Sequence, residues 1–318
     1  MAPASVVAEQ ANPVQLSEGE QVTVEVPATS ANLGPGFDCF GLALDWRESV
    51  RLEVMASGYH IEVSGEGADQ IPRDESHLIM RSALVGLADL GVTAPGLRLS
   101  CHNTIPHGRG LGSSSAAIVA GLVAAGSLAG RPVDREWLLG HADAIEGHPD
   151  NVAAAIYGGF VMAYDSVHGI AVAQGAVADG LGVVLYVPDT PVATHAARNL
   201  LPDEVPHADA ASNSGRAALF AHAMASDSDL LWDATRDWLH QDYRQRAMPA
   251  SYDLMVSLRS QGLAAVISGA GPTVLVIGRA DDLAQLPHQA VRGFRIMAAA
   301  IGPGARVVDR TTPKSNRA

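Results

Sequence analysis

This sequence predicts a mixed α and β chain, large enough for two domains, and three observations carry the prediction. The chain has 318 residues and is 47% hydrophobic, so a sizeable core can form. Runs that alternate apolar and polar residues are interleaved with longer runs rich in Ala, Leu and Val, the patterns of strands and helices. At the centre stands Ile105 to Ala117, I-P-H-G-R-G-L-G-S-S-S-A-A, a glycine loop between a strand pattern and a helical one.

Residues 1–20 have little periodicity and read as a disordered tail, without the basic start and apolar core of a signal peptide. Val22, Val24 and Val26 alternate and predict a first strand, ended by Pro27. In the next stretch, Ala28 to Leu44, Thr29, Ser30, Asn32 and Asp38 crowd beside Phe37, Phe40 and Leu42 around Gly34-Pro35-Gly36. That mixture suits ordinary turn chemistry, and it equally suits a pocket for a small polar molecule. Strands follow at Val50 to Met55 and His60 to Val63, then a helix capped by Ser76 and ended by Gly91.

Leu97 to His102 alternates as a strand and leads into the glycine loop. Gly108, Gly110 and Gly112 let the backbone turn tightly and bring its N–H groups close to a ligand. Ser113, Ser114 and Ser115 set hydroxyls at the start of a helix, Ala116 to Ala129, beside unpaired N–H groups and the positive end of its dipole. This makes a phosphate site. The loop is not a Walker A sequence, and Ser113 stands where a dinucleotide fingerprint needs its third glycine. A plain glycine turn with a serine cap is the alternative.

A helix from Asp134 to Ile145 delivers E-G-H-P-D-N-V, Glu146 to Val152. A carboxylate so soon after a phosphate loop suggests Mg²⁺, which prefers oxygen ligands, although a solvated helix end explains the bare pattern as well. Phe160 to Tyr164 reads as a strand, and Leu181 to Val187 as a near-continuous apolar one. Thr190 and Pro191 open a helix predicted to reach Leu201, with Thr194 and Arg198 on one face. Helices are expected at Ser212 to Ala225 and Asp227 to His240, followed by L-H-Q-D-Y-R with Arg244. Two apolar strands then flank Ser268-Gly269-Ala270-Gly271-Pro272-Thr273.

Composition excludes several classes of function. A net charge of -13 argues against a nucleic-acid backbone or an anionic membrane as partner. No apolar run approaches the roughly 18 residues of a membrane span. Two cysteines, Cys39 and Cys101, form neither a disulfide framework nor a zinc spacing, and suit a reducing cytoplasm. A homodimer is compatible with the sequence.

Within the loop, P-x-x-x-G-L-G-S-S-x-A-A resembles the ATP loop of the GHMP kinases. V-P-A-T-S-A-N-L-G-P-G-F-D is similar to the N-terminal signature of the homoserine kinases in that superfamily. E-G-H-P-D-N-V, T-H-A-A-R, L-H-Q-D-Y-R and S-G-A-G-P-T follow in the same order, so the resemblance runs from Val26 to Ile277. One departure is Asp242, where the family usually has Pro.

The resemblance implies a two-domain α+β GHMP kinase fold. An N-terminal domain over 21–170 would be ribosomal S5 domain 2-like, a C-terminal domain over 171–311 ferredoxin-like, and 312–318 a tail. It implies phosphorylation of the L-homoserine hydroxyl by ATP. ATP would lie on Pro106, His107, Gly108, Arg109, Gly110, Leu111, Gly112, Ser113, Ser114, Ser115 and Ala116, with Mg²⁺ on Ser114 and Glu146. Asn32, Asp38, Thr194 and Arg244 would hold the amino acid: Asp38 its ammonium, Arg244 its carboxylate. Asn151, Arg198 and Glu146 would carry catalysis, Arg198 by reaching the transferred phosphate. An amide cannot take a proton, so Asn151 would position the substrate hydroxyl or a phosphate oxygen. Its neighbour Asp150 should diverge from it by about 100° on a helix, so transfer is expected without a carboxylate base. Mevalonate kinase is disfavoured by Asn151 and by the Asn32/Asp38 pair. A silent nucleotide- or amino-acid-binding relative is disfavoured by Glu146, Arg198 and the intact serine loop.

Overall fold

The computed structural model describes residues 13–131, 134–286 and 290–312. Most of the two expected tails, 1–20 and 312–318, lies outside the described residues. In chain order the first elements are β1 (Val14–Gln15), β2 (Gln21–Asn32), β3 (Gly36–Met55), β4 (Gly58–Gly65), α1 (Leu78–Asp89), β5 (Val92–Thr93) and β6 (Gly96–Asn103). Then come α2 (Ser113–Leu128), α3 (Arg135–Glu146), α4 (Pro149–Tyr157), β7 (Phe160–Ser166), β8 (Gly169–Gly175) and β9 (Leu181–Pro188). The remainder is α5 (Thr194–Arg198), α6 (His207–Ala225), α7 (Leu231–Ala234), α8 (Pro249–Ser260), β10 (Ala264–Ile267), β11 (Val274–Arg279), α9 (Ala280–Leu283), β12 (Phe294–Ala300) and β13 (Arg306–Thr311).

The first sheet runs β13-β2-β3-β6-β4, with β7 pairing the early part of β3 and β8 pairing β7. Val22, Val24 and Val26 point one way into the core, as their alternation requires. From Val26 onward every residue of β2 is buried, because this end of the strand meets the second half of the molecule. Helix α2 packs across the sheet and against α1. It is apolar all round, and 13 of its 16 residues are buried, as such a helix must be. Small residues allow the approach: a side chain at Gly121 would run into the carbonyl oxygen of Ile79.

The second sheet is antiparallel, in the order β10-β11-β9-β12. In β9, Leu181, Val183, Leu185 and Val187 join the main core, while Val184 and Tyr186 join a second cluster with Met255 and Leu258 of α8. A strand covered on both faces reads as a continuous apolar run, which is the pattern of 181–187. Phe40, Phe160 and Phe220 interlock at centroid distances of 5.2 to 5.5 Å, tying β3, β7 and α6 together. The two halves interleave in sequence. The division at 170/171 falls inside β8, and β13 returns to pair antiparallel with β2. Val14–Gln15, inside the expected tail, pairs with β5.

Two helices are shorter than periodicity predicts. The one expected from Thr190 begins at Thr194, with Ala193 as its cap. The residues before it are drawn to the glycine loop instead: Val192 N–H donates to Gly108 O (3.0 Å), and Arg109 donates to the carbonyl oxygens of Pro188 and Asp189. The helix expected over Asp227 to His240 stops at Ala234. Asp237 ends it, accepting the N–H groups of Leu239 (2.7 Å), His240 (3.0 Å) and Gln241 (2.7 Å), and so offers the backbone a better partner than the next helical turn. Ser76 does not cap α1; its hydroxyl bonds Asp74 (2.5 Å), and His77 takes the cap position.

Candidate active site

Gly108, Gly110 and Gly112 all have left-handed φ, at 64°, 70° and 66°. Space is as restrictive as conformation. A Cβ on Gly110 would meet the carbonyl oxygen of Ser268, and one on Gly112 would meet Thr29 Oγ1. The loop is therefore clasped between β2 and the turn of the β10–β11 hairpin, more than a plain turn with a serine cap would need. Ser268 Oγ lies between Ser30 Oγ (2.7 Å) and Gly110 O (2.5 Å), and Gly269 N–H donates to Ala31 O (2.9 Å). Ser113 opens α2 directly after Gly112, so the first N–H groups of a long helix face the loop.

Asn32, Asp38, Gly112, Ser114, Glu146, Asn151, Arg198 and Arg244 line one cavity of ≈ 240 Å³. Residues separated by up to 212 positions of chain thus share a wall with the glycine loop. Ser114 Oγ and Ser115 Oγ both donate to Glu146 Oε1, at 2.6 and 2.8 Å. A carboxylate with two hydroxyls is a hard-oxygen donor set, which fits Mg²⁺. Among the described residues no group of three or more His, Cys, Asp or Glu could cage a metal by itself. Mg²⁺ held through one carboxylate plus substrate phosphates needs no such cage.

Around Asp38 the backbone is left-handed at Asn32 (66°), Leu33 (51°) and Asp38 (53°). Asn32 holds this turn: its Oδ1 accepts Asp38 N–H (3.0 Å), and its Nδ2 donates to Gly269 O (2.9 Å). Both ends of the Asn32 side chain are thus engaged by protein. Asp38 is gripped by Arg198 through two bonds, NH1 to Oδ2 (3.0 Å) and NH2 to Oδ1 (2.6 Å). The bond to Asp38 raises the Arg198 pKa above its ordinary value.

Arg244 is 1% exposed, and its Nε is a buried donor with no partner. Burial first, and repulsion from Arg198 second, lower its pKa to about 10. His240, fully buried, donates Nε2–H to Gly34 O (2.8 Å) and accepts Arg244 NH1 at Nδ1 (3.2 Å). Burial lowers the His240 pKa, which fits that accepting role. Gln241 Oε1 accepts Ile267 N–H (2.7 Å), and Asp242 accepts the Tyr252 hydroxyl (2.7 Å) on the outer side, away from the cavity wall. The L-H-Q-D-Y-R stretch is thus a frame that aims Arg244, and its Asp242 does not disturb the frame.

Asn151 Oδ1 accepts the Thr29 hydroxyl (2.8 Å). The expected divergence of Asp150 is not what the structure shows. Asp150 Oδ1 turns back onto Asn151 N–H (2.7 Å) and Nδ2 (3.3 Å), because the pair opens α4 instead of continuing α3. The same oxygen lies 3.0 Å from His148 Nδ1, a bond that raises the His148 pKa. His148 and Asp150 both line the cavity, and the motif reading gave neither a role.

Of the remaining residues assigned to ATP, Gly108, Gly110, Leu111 and Ser113 also line this cavity. Pro106 and Ala116 are buried behind the loop, and Arg109 is a strut whose Nε and NH1 donate to Pro188 O and His107 O. The side chain of Thr194 lies outside the description. His107, Ser113 and Ser114 also border a second, more apolar cavity of ≈ 330 Å³ beside the loop. Two residues there carry no sequence signal: Glu48 and His77. Glu48 Oε1 accepts the N–H groups of Thr104 (2.9 Å) and Ile105 (2.8 Å), and burial raises its pKa. His77 is 5% exposed with Nδ1 unpartnered, and burial lowers its pKa to about 4. Both are isolated polar residues in ordinary strand and helix-start settings, so only the tertiary fold reveals them.

Comparison with known proteins shows the family and the fold. Residues 77–159 match the GHMP kinases N terminal domain, and 209–295 match GHMP kinases C terminal. The chain is 51% identical to the homoserine kinase of Streptomyces coelicolor over 263 residues, 82% of this chain and 85% of that protein. It is 45% identical to that of Corynebacterium glutamicum over 83% of this chain and 88% of that protein. Among solved structures, homoserine kinase from Cytophaga hutchinsonii superposes with TM-score 0.81 at 27% identity, covering 92% of this chain and 98% of that one. Mevalonate diphosphate decarboxylase from Staphylococcus aureus, at TM-score 0.65 and 14% identity over 91% of this chain and 98% of that one, shares the fold.

Proposed function

The chain belongs to the homoserine kinases of the GHMP superfamily, and from that premise we propose that it transfers the γ-phosphoryl group of ATP to the side-chain hydroxyl of L-homoserine, a step of threonine biosynthesis in the cytoplasm. One observation carries the reading. A single cavity is walled by the glycine loop with Glu146, which suits phosphates, and by Asp38 with Arg198 and Arg244, which suits a zwitterion. The second cavity, apolar and next to Ser113 and Ser114, receives the nucleoside.

The first N–H groups of α2 and the loop backbone hold the phosphates. Glu146 and Ser114 would hold Mg²⁺, which when bound neutralises phosphate charge. Asp38 takes the ammonium and Arg244 the carboxylate. The unpartnered Arg244 Nε and its placement by His240 support that role. Asn151, fixed by Thr29, positions the acceptor hydroxyl. The hydroxyl oxygen forms the new bond to phosphorus as the bond to ADP breaks, and the hydroxyl proton passes to a phosphate oxygen. Phosphoryl transfer has a loose transition state, so position and charge matter more than a base. Asp150 Oδ1 already carries three donors, which fits transfer without it.

ADP release with mass detection of product, using L-homoserine, mevalonate, 4-hydroxybutyrate or no acceptor, tests the proposal. The expected product is phosphohomoserine, with little turnover of the others. Comparable phosphorylation of mevalonate would overturn it.

A further inference from the structure

The carboxylate assigned to the acceptor's ammonium, Asp38, already faces a cation of the protein itself. Arg198 covers Asp38 with two charge-assisted bonds, at 3.0 and 2.6 Å, and both side chains are about one-third exposed toward the cavity. Arg198 ends a five-residue helix, so it sits on a short element. Arg244 lies near by: the two guanidinium carbons stand 5.6 and 5.4 Å from the centroid of the Phe37 ring. Both cations therefore flank Phe37, and of the two only Arg198 is bonded to Asp38.

We propose that Arg198 is a specificity-determining residue that occupies the ammonium subsite, and that only an acceptor bringing its own cation frees Arg198 for the anionic part of the site. This rests on the kinase reading above. The charge arithmetic favours it. A zwitterion is neutral: its ammonium replaces Arg198 on Asp38, while its carboxylate and the nucleotide phosphates receive the released guanidinium. An acceptor with a carboxylate and no ammonium leaves Asp38 to compete for Arg198. Acceptor binding thereby prepares the site for the phosphates, and without it Arg198 stays neutralised by Asp38.

The two ligands must then bind with positive coupling, and coupling is reciprocal. The measurement is the affinity of a non-hydrolysable ATP analogue with magnesium, by calorimetry, with and without L-homoserine. In the wild-type protein homoserine tightens the analogue by about ten-fold, within the 5–150-fold span usual for such coupling. Asp38→Asn keeps the left-handed backbone, which Asn tolerates well, and removes the carboxylate. It should bind the analogue without acceptor about as tightly as the wild-type protein does with homoserine, and homoserine should add nothing further.

A double-mutant cycle separates release of Arg198 from mere loss of negative charge. In an Arg198→Ala background, Asp38→Asn should leave analogue affinity unchanged. If Asp38→Asn tightens the analogue equally in both backgrounds, the effect is general electrostatics and the proposal fails. It fails too if Asp38→Asn does not tighten the analogue at all. The acceptor-free arms need no homoserine, so they are independent of which acceptor the enzyme uses. Failure of the homoserine reading would show instead in the product assay.

Discussion

At the scale of single residues, Glu146 is the carboxylate that two loop hydroxyls address. Glu146→Gln keeps the shape and removes the charge, so the nucleotide complex would lose the anionic ligand proposed for Mg²⁺. Turnover should fall by a factor of about 10² or more, with the far-UV spectrum and unfolding midpoint unchanged, since electrostatic groups of this kind are worth several kcal/mol in a transition state. A magnesium titration checks the assignment. Wild-type turnover across the whole titration would mean that Glu146 only caps the serine hydroxyls. Arg244 and Asn151 were legible as candidates because they stand in motifs, and both line the cavity, whereas His240 and Thr29, which aim them, were not assigned roles. Thr29 lies 122 positions from Asn151 and Gly34, which fixes the His240 ring, lies 206 positions from it, separations that local pattern cannot bridge.

At the scale of elements, the glycine loop is shaped by what touches it. Gly110 combines φ of 70° with the carbonyl oxygen of Ser268 where a Cβ would stand. Gly91 has a similar φ of 67° with open space around it. The two make a matched pair. Gly91→Ala should cost only backbone strain, about 1–3 kcal/mol, and leave the KM for ATP within two-fold, a tolerance of about 0.4 kcal/mol. Gly110→Ala should cost at least as much stability and also raise the KM for ATP by about ten-fold or more, because the loop must move off the Ser268 turn, at about 1.4 kcal/mol per factor of ten. Thermal unfolding and steady-state kinetics on both variants decide it. Equal KM values would show that the loop tolerates displacement and that the Ser268 clasp does not position phosphates.

At the scale of the whole molecule, β2 is the strand on which the two halves meet. Its last residues carry Thr29 and Asn32, and its outer edge is covered by β13 from the far end of the chain. Every side chain of β13 is exposed, so its contribution is backbone pairing, with Arg306 bonding Glu25 (2.6 Å). Removing residues 306–318 should uncover the β2 edge. The expected results are a thermal midpoint lower by several degrees, consistent with a loss of about 1–3 kcal/mol, and greater aggregation on heating. An unchanged midpoint and clean reversibility would show that the returning strand is dispensable.

The sequence by itself determined the strand–loop–helix proposed to hold phosphate, the alternation of β2, and the burial of α2 and β9. Each of these is written in residues a few positions apart, by the spacing of apolar side chains or by glycine. It also carried the family, through motifs in a fixed order. Only the tertiary structure decided that Asp38 and Arg198 face each other, that Asp150 folds back onto Asn151, and that Glu48 and His77 border a second cavity. Charge partners, and the packing that lowers or raises a pKa, are set by which distant segments the core brings together. For the same reason the helices expected at Thr190 and Asp227 were cut short: Gly108 with Arg109, and Asp237, supplied competing partners that helical periodicity does not contain.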